Sequence, residues 1–131
     1  MNVVDSSGWV EYFNKGSNAR FFISTVKDTQ NLLVPTICLY EVFKKVLSQF
    51  DEETALQALS VMTLGQVVEL DRDIAIDAAL ISTEMKLAMA DSIILATANA
   101  YNATLWTQDR HFKDIPGVRY IGKNNTPDVP I

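Results

Sequence analysis

The sequence contains one nearly continuous apolar segment, Ala90 to Ala98, and the only charged residue in it is Asp91. Alanine and leucine favour helix, and apolar residues on almost every face are typical of a helix buried inside a layered domain. A carboxylate is costly in such surroundings unless a charged group pairs with it. The segment therefore predicts a buried helix whose acid has partners elsewhere in the chain.

Length and composition indicate one globular domain. The chain has 131 residues, of which 48% are hydrophobic and 21% are charged, and this is ordinary for a single packed core. No apolar run is long enough to span a bilayer, no signal peptide is visible, and Cys38 has no partner for a disulfide. We expect a cytoplasmic domain over residues 1–122 and a loosely held C-terminal tail over residues 123–131, which contains two prolines and two asparagines.

Short apolar runs alternate with segments of helical periodicity. The predicted strands are Val3–Val4, Leu32–Val34, Gln66–Leu70, Thr104–Thr107 and Val118–Ile121. Helices are predicted around Trp9–Phe13, over about 18–27 and 36–50, from Asp51, after Asp71 or Asp73, and over the buried segment. This alternation predicts an α/β fold with three layers, α/β/α, and a central, mostly parallel sheet of four to five strands.

Several conspicuous side chains have a structural interpretation. Trp9 and its aromatic neighbours at helical spacing, and Cys38 between apolar residues, are predicted to pack in the core. His111, the only histidine, is predicted to have a surface or turn role. In the helix over 36–50, one side is predicted to carry Ile37, Tyr40, Phe43, Val46, Leu47 and Phe50.

Four carboxylates carry the functional prediction. Asp5 and Asp109 follow predicted strands, and the carboxyl ends of parallel strands meet at one edge of a sheet. Each acid also has a simpler explanation: Asp5, Asp91 and Asp109 as helix caps, and Glu41 as the i,i+4 partner of Lys45. Together they form a like-charge cluster, which needs a hard divalent cation such as Mg²⁺ or Mn²⁺, whereas a single histidine argues against zinc.

Net charge does not identify the partner. The formal net charge is −5, and an acidic chain at first argues against nucleic acid. If four acids are grouped around a cation, 12 of the 16 remain against 11 basic residues, so the rest of the surface is nearly neutral. Five basic residues are candidates for phosphate contacts: Lys44, Lys45, Arg110, Lys113 and Lys123.

The chain resembles the PIN-domain ribonucleases, and most closely the VapC-type toxins of toxin–antitoxin pairs. The resemblance spans nearly the whole chain and is carried by four segments in order. These are Val3-Val4-Asp5-Ser6-Ser7 with Trp9, Glu41 after Pro35-Thr36, the Ala90–Ala98 segment, and Leu105-Trp106-Thr107-Gln108-Asp109 with His111-Phe112. One departure is Lys86-Leu87-Ala88-Met89, where family members often carry glycine, histidine or proline.

The resemblance implies that Asp5, Glu41, Asp91 and Asp109 hold one or two Mg²⁺ or Mn²⁺ ions. Ser6 and Thr107 match positions whose hydroxyls support these acids, although either hydroxyl could equally satisfy a local amide. The implied activity is metal-dependent hydrolysis of single-stranded or looped RNA with a metal-activated water as nucleophile. The implied partners are an RNA substrate, a cognate antitoxin and a second copy in a homodimer, with no membrane.

Two alternatives remain open at the level of sequence. The chain could be a PIN-fold module for protein association with little or no nuclease activity, although that role does not require all four acids. A phosphotransfer receiver domain also groups acids at strand ends. That fold expects adjacent acids after its first strand, however, and Asp5 stands alone.

Overall fold

The computed structural model describes residues 1–123, which form a five-stranded sheet flanked by helices. The strands are β1 (Asn2–Val4), β2 (Leu32–Pro35), β3 (Gln66–Val68), β4 (Thr104–Thr107) and β5 (Val118–Tyr120). The α-helices are α1 (Ser6–Phe13), α2 (Ala19–Lys27), α3 (Thr36–Gln49), α4 (Glu52–Met62), α5 (Arg72–Met85) and α6 (Met89–Ala100). Two 3₁₀ turns cover Thr29–Asn31 and Arg110–Phe112.

The sheet is parallel throughout and is buried between helices. Its order is β3-β2-β1-β4-β5, and every pairing is parallel. All four residues of β2 are buried, as expected for a strand with helices packed on both faces of its sheet. The three-layer α/β/α prediction is therefore confirmed, and the sheet has the larger of the two predicted strand numbers.

The direction in which strands are added to the sheet reverses between β1 and β4. Strands β1, β2 and β3 are added in one direction, and the chain then returns through α5 and α6 to place β4 beside β1. In open α/β sheets, ligands bind at the carboxyl ends of the strands where the order reverses. Asp5 lies at this point: it follows the last residue of β1, and its backbone N–H donates to Trp106 O of β4 at 3.1 Å.

Helix α6 is the predicted buried helix. Ser92 through Ala98 are all buried. The helix begins at Met89 and is preceded by Ala88, which provides no side-chain cap. Asp91 therefore lies inside the first turn, and the interpretation of Asp91 as the N-cap is wrong.

The prediction for the apolar side of α3 is partly confirmed, because Val46 is buried and Ile37 and Phe43 pack half-buried against the core. The buried side is Cys38, Val42 and Val46, spaced at i, i+4 and i+8. Tyr40 is 60% exposed, and Leu47 also faces solvent. Where α3 packs against α1 and α4, its fully buried side chains are the smaller ones, whereas Tyr40 and Leu47 lie on the open side.

The other structural interpretations agree with the fold. Trp9 is fully buried and stacks on Phe13 with ring centroids 5.7 Å apart. Burial raises the pKa of the Cys38 thiol far above its usual range, so this thiol is a core group and not a nucleophile. Asp71 caps α5 by accepting from Ile74 N at 2.9 Å, and Asn102, just after α6, adopts a left-handed conformation with φ of +52°.

Some boundaries differ from the prediction. β3 ends at Val68, two residues before the predicted end, because the chain turns to the Asp71 cap. Within residues 1–123, no helix has both the length and the hydropathy needed to cross a membrane. From residue 124 onward, the predicted tail lies outside the described residues.

Gly8 allows the first helix to lie close to the sheet. A Cβ at this position would lie 2.6 Å from Phe22 Cε1 and 2.7 Å from Val4 Cγ1, and both neighbours are fully buried. The close approach places the Gly8 amide against the carboxylate of Asp5.

We predict that Gly8→Ala destabilises the protein. Alanine in place of glycine favours a helix by about 1 kcal/mol, but overpacking of a rigid core costs about 1–3 kcal/mol, and here the clash should dominate. Urea unfolding should show a lower midpoint for Gly8→Ala. Gly122→Ala is the matched control, since its Cβ would meet Tyr120 only at 3.6 Å, and a control shift as large as that of Gly8→Ala would contradict the explanation.

Candidate metal centre at the reversal point of the sheet

Asp5 is the most deeply buried acid of the candidate site. It is 2% exposed and caps α1, with Oδ1 accepting from Gly8 N at 2.9 Å. The Ser7 hydroxyl donates to both carboxylate oxygens at 2.8 and 2.9 Å. Burial raises the pKa of Asp5 to about 6, while hydrogen bonds from Thr107, Gly8 and Ser7 oppose this shift and the charge of Asp109 adds to it.

Thr107 joins the ends of β1 and β4. Its buried hydroxyl donates to Asp5 Oδ2 at 2.6 Å and accepts from the backbone N–H of Asp109 at 2.8 Å. The hydroxyl therefore satisfies a local amide and also supports an acid. This one side chain therefore links the carboxylate of Asp5, after β1, to the backbone of Asp109, after β4.

Glu41 reaches the site from α3. Its Oε1 accepts a hydrogen bond of 2.6 Å from the Ser6 hydroxyl, the first residue of α1. No ion pair between Glu41 and Lys45 is formed within the described residues, so that alternative explanation of Glu41 is not supported. Ser6 thus links Glu41 to the same strand-to-helix turn that carries Asp5.

Asp91 reaches the site from the first turn of α6 and is half-buried. The pKa of Asp91 is raised to about 6, chiefly by burial and then by the charges of Asp109 and Glu41, while His111 lowers it. Each of these charges must lie near Asp91 to act on it. Asp91 is thus near Asp109 and Glu41, and Thr107 links Asp5 to Asp109.

Asp109 and His111 complete the open side of the group. Asp109 caps the second 3₁₀ turn by accepting from His111 N at 2.9 Å, so its capping interpretation is also correct. His111 Nδ1 lies 3.0 Å from Asp109 Oδ1 and 3.9 Å from Asp91 Oδ2. One ligand atom from each of these three residues lies within 4.8 Å of the other two.

His111 is a site residue that the sequence analysis undervalued. It does lie at the surface in a turn, with 71% of its side chain exposed. The missed signal is its position two residues after the capping acid, because a tight turn returns the side chain at that position toward the cap. The imidazole adds a nitrogen donor to a set of donors that was otherwise expected to consist of oxygen atoms.

The chemistry of these side chains fits a divalent cation. Carboxylate oxygens are the ligands that Mg²⁺ and Mn²⁺ prefer. The raised pKa values of Asp5 and Asp91 express the burial and the mutual repulsion that a bound cation would relieve. Asp91, Asp109 and Glu41 have exposed or half-buried oxygens for this purpose, whereas both oxygens of Asp5 are already engaged by hydrogen bonds.

A groove runs past the acids and is lined by basic side chains. Two adjoining cavities of about 420 and 310 Å³ share Ser7, Gln108 and Lys123 in their walls. Arg110 lines the larger cavity and Lys45 lines the smaller one. The two other candidate cations, Lys44 and Lys113, do not line these cavities, and Lys44 instead lies 5.6 Å from the ring centroid of Tyr40.

The chain thus combines a parallel α/β/α sheet with acidic side chains at the point where its strand order reverses. The sequence model of the PIN domain matches residues 3–118, which is most of the chain. The chain belongs to the PIN domain family. No curated protein sequence matches it significantly.

Solved structures with the same fold include members of toxin–antitoxin pairs. A toxin–antitoxin complex from Klebsiella pneumoniae aligns with a TM-score of 0.76 and 25% identity over 91% of this chain and 96% of that chain. DNA-bound VapBC from Salmonella typhimurium aligns with a TM-score of 0.72 and 20% identity over 93% and 97%. A sarcin–ricin-loop-cleaving toxin of Mycobacterium tuberculosis aligns with a TM-score of 0.69 and 14% identity over 86% and 92%. The resemblance to VapC-type toxins is therefore confirmed.

We predict that the metal-free protein loses stability as the pH rises from about 4 to about 6. The folded pKa of Asp5 and of Asp91 lies above the ordinary value of 3.8, so the folded state binds more protons than the unfolded state in this window. Deprotonation above it therefore favours unfolding. Urea unfolding in chelator should give a higher free energy of unfolding at pH 5 than at pH 7.5.

Asp91→Asn should reduce the fall in stability between pH 5 and pH 7.5 and raise the free energy of unfolding at pH 7.5. The substitution removes a charge that burial and the neighbouring acids disfavour, and Asp91 accepts no hydrogen bond within the described residues that would be lost. Asp77→Asn is the control, since Asp77 is exposed in α5 and remote from the acids. The explanation fails if wild type and Asp91→Asn show the same slope of stability against pH in chelator.

Proposed function

We propose that this protein is an Mg²⁺- or Mn²⁺-dependent endoribonuclease, the toxin of a VapBC-type toxin–antitoxin pair, that hydrolyses RNA phosphodiester bonds. The observation that carries the proposal is the convergence of Asp5, Glu41, Asp91 and Asp109 at one end of the sheet, with Thr107 and Ser6 holding two of them. Membership of the PIN domain family supports it.

The residues divide into ligands and supports. Glu41, Asp91 and Asp109 would hold the cation with their accessible oxygens, and Asp5 would contribute from the base of the site while Ser7, Gly8 and Thr107 fix its orientation. When bound, such a cation activates a water molecule and neutralises charge on the scissile phosphate. His111, beside Asp109, is placed to contact the phosphate or the leaving oxygen.

The groove supports an RNA substrate. Lys45, Arg110 and Lys123 line it on both sides of the acids, and basic side chains at this position offset the repulsion between a phosphate backbone and four carboxylates. Tyr120 lies in the wall of the larger cavity, where an aromatic ring can stack on an unpaired base. Single-stranded or looped RNA fits an open groove of this kind.

The proposed partners are a cognate antitoxin and a second copy of the chain, in the cytoplasm. The Klebsiella pneumoniae neighbour is a toxin–antitoxin complex, which supports the antitoxin. The side of α3 that carries Tyr40, Phe43 and Leu47 is a candidate for receiving an antitoxin segment, because Tyr40 and Leu47 are exposed. A basic residue of that segment directed to the acids would block the site.

A PIN-fold association module with little or no nuclease activity is the alternative. Exposed apolar side chains on α3 and α5 favour some form of association. Association alone, however, gives no reason for burying Asp5 and raising its pKa beside three further acids. We therefore prefer the nuclease.

We predict that the wild type cleaves a hairpin RNA with an unpaired loop in Mg²⁺ or Mn²⁺ and that chelator abolishes cleavage. Asp5→Asn and Asp91→Asn should each reduce the rate by at least about 100-fold, the order of effect seen when a group that stabilises the transition state is removed. Asp77→Asn, purified in parallel, should retain the wild-type rate. Cleavage that survives both active-site substitutions and chelation would exclude the metal-dependent mechanism.

We also predict that RNA binding depends on salt through the groove cations. Arg110→Ala and Lys45→Ala should each weaken binding and reduce the slope of log affinity against log salt by about one. Binding is measured with fluorescent RNA and Asp91→Asn protein, so that the RNA stays intact. Lys27→Ala, at the end of α2 and outside the groove, should leave the slope unchanged, and equal slopes in all variants would contradict the proposed RNA path.

A further inference from the structure

A buried polar network lies beside Asp109 and is not used by the proposed mechanism. Asn18 is 8% exposed and Gln108 is 7% exposed. Asn18 Nδ2 donates to Gln108 Oε1 at 2.9 Å and to the carbonyl oxygen of Gly122 at 3.1 Å. One side chain from the loop before α2 thus holds both the residue before Asp109 and the segment after β5.

The remaining polar atoms of Gln108 are also engaged. Its Nε2 donates to Glu11 Oε1 and to the Ser7 carbonyl oxygen, each at 3.4 Å. Acceptors therefore surround the Nε2 group and a donor faces Oε1, so only one orientation of the carboxamide satisfies the network. A rotation by 180° would place two NH₂ groups against each other.

Glu11 is held rigidly in turn. Its Oε2 accepts from the backbone N–H of Asn18 at 2.8 Å. The carboxylate lies against Gly16, where any Cβ would overlap it. Glycine at position 16 therefore makes room for the Glu11 carboxylate. Through its two oxygens, Glu11 anchors Gln108 and the loop before α2.

Asp109 needs such external support. Asp5 accepts from three different donor groups, whereas the carboxylate of Asp109 is held only from its own turn, by the backbone N–H of His111 and by the exposed His111 imidazole, whose Nδ1 lies 3.0 Å from Oδ1. The position of Asp109 relative to Asp91 consequently depends on the backbone between β4 and the second 3₁₀ turn. Thr107 holds that backbone on one side, and the Gln108 side chain is anchored to α1 and the following loop on the other.

We infer that Gln108 is a positioning residue, held by Asn18 and Glu11, that fixes the Asp109 carboxylate for cation binding. The inference rests on the proposed metal role of Asp109. Partners of metal ligands commonly change metal affinity by about 10–100-fold when they are replaced. Gln108 acts here through the backbone it shares with Asp109.

The test is Mg²⁺ and Mn²⁺ binding by calorimetry to the full chain, without RNA. Gln108→Met keeps the length of the side chain and removes its carboxamide, and the dissociation constant should rise by about 10-fold. Gln57→Met, exposed on α4, is the matched control and should bind as the wild type does. Circular dichroism and urea unfolding in chelator verify that each variant is folded.

A double-mutant cycle separates positioning from general destabilisation. In an Asp109→Asn background, Gln108→Met should cause no further loss of cation affinity, because the group that it positions has lost its charge. An equal loss in both backgrounds would overturn the inference. If Gln108→Met does not fold, Asn18→Asp provides the same cycle, since it replaces the donor facing Gln108 Oε1 with an acceptor.

The outcomes also distinguish the inference from the proposed function. Wild-type protein that binds neither cation overturns the proposed function together with the inference. Wild-type protein that binds, with Gln108→Met equal to it, overturns the positioning role alone.

Discussion

The site depends on one hydroxyl group that joins two strands. Thr107 donates to Asp5 and accepts from the amide of Asp109, so a single buried side chain sets the spacing of the acids that follow β1 and β4. Parallel pairing of these strands brings their ends to the same edge of the sheet. The hydroxyl then converts that approximate proximity into defined orientations, because it has both a donor and an acceptor to satisfy.

The acids are placed where folding alone would not favour them. Asp5 is almost completely buried, and the pKa shift from 3.8 to about 6 corresponds to a free-energy cost on the order of 3 kcal/mol for its charged form. Hydrogen bonds from Thr107, Gly8 and Ser7 offset part of the burial and do not remove it. The rest of the fold must supply that free energy, and the buried run Ser92–Ala98 of α6 and the central strands, which bury large apolar areas, are suited to it.

Sequence reasoning identified the strands, and placed Asp5 and Asp109 at strand ends, because these features follow from local pattern, whereas Glu41 and Asp91 lie on helices and were joined to them by the family resemblance. Short apolar runs between helices predict a parallel sheet. An acid that directly follows a strand then lies at the carboxyl edge of the sheet, and the strand order decides which of these acids are neighbours. The buried side of α3 was predicted only at Val46, because Cys38 and Val42, which complete it, are smaller than the aromatic residues beside them. His111 and the Asn18–Gln108 contact were missed because they depend on a tight turn and on residues 90 positions apart.

The departure of the Lys86–Met89 segment from the family pattern has a local structural solution. Lys86 adopts the left-handed conformation, with φ of +57°, that glycine adopts most easily and a lysine adopts at some cost. Leu87 is buried, and the Ser82 hydroxyl donates to its carbonyl oxygen at 2.7 Å, which anchors the turn to α5. The turn therefore still begins α6 two residues before Asp91. The substitution changes the exposed surface at Lys86 and Met89, next to the site, while the burial of α6 keeps Asp91 beside Asp109 and Glu41.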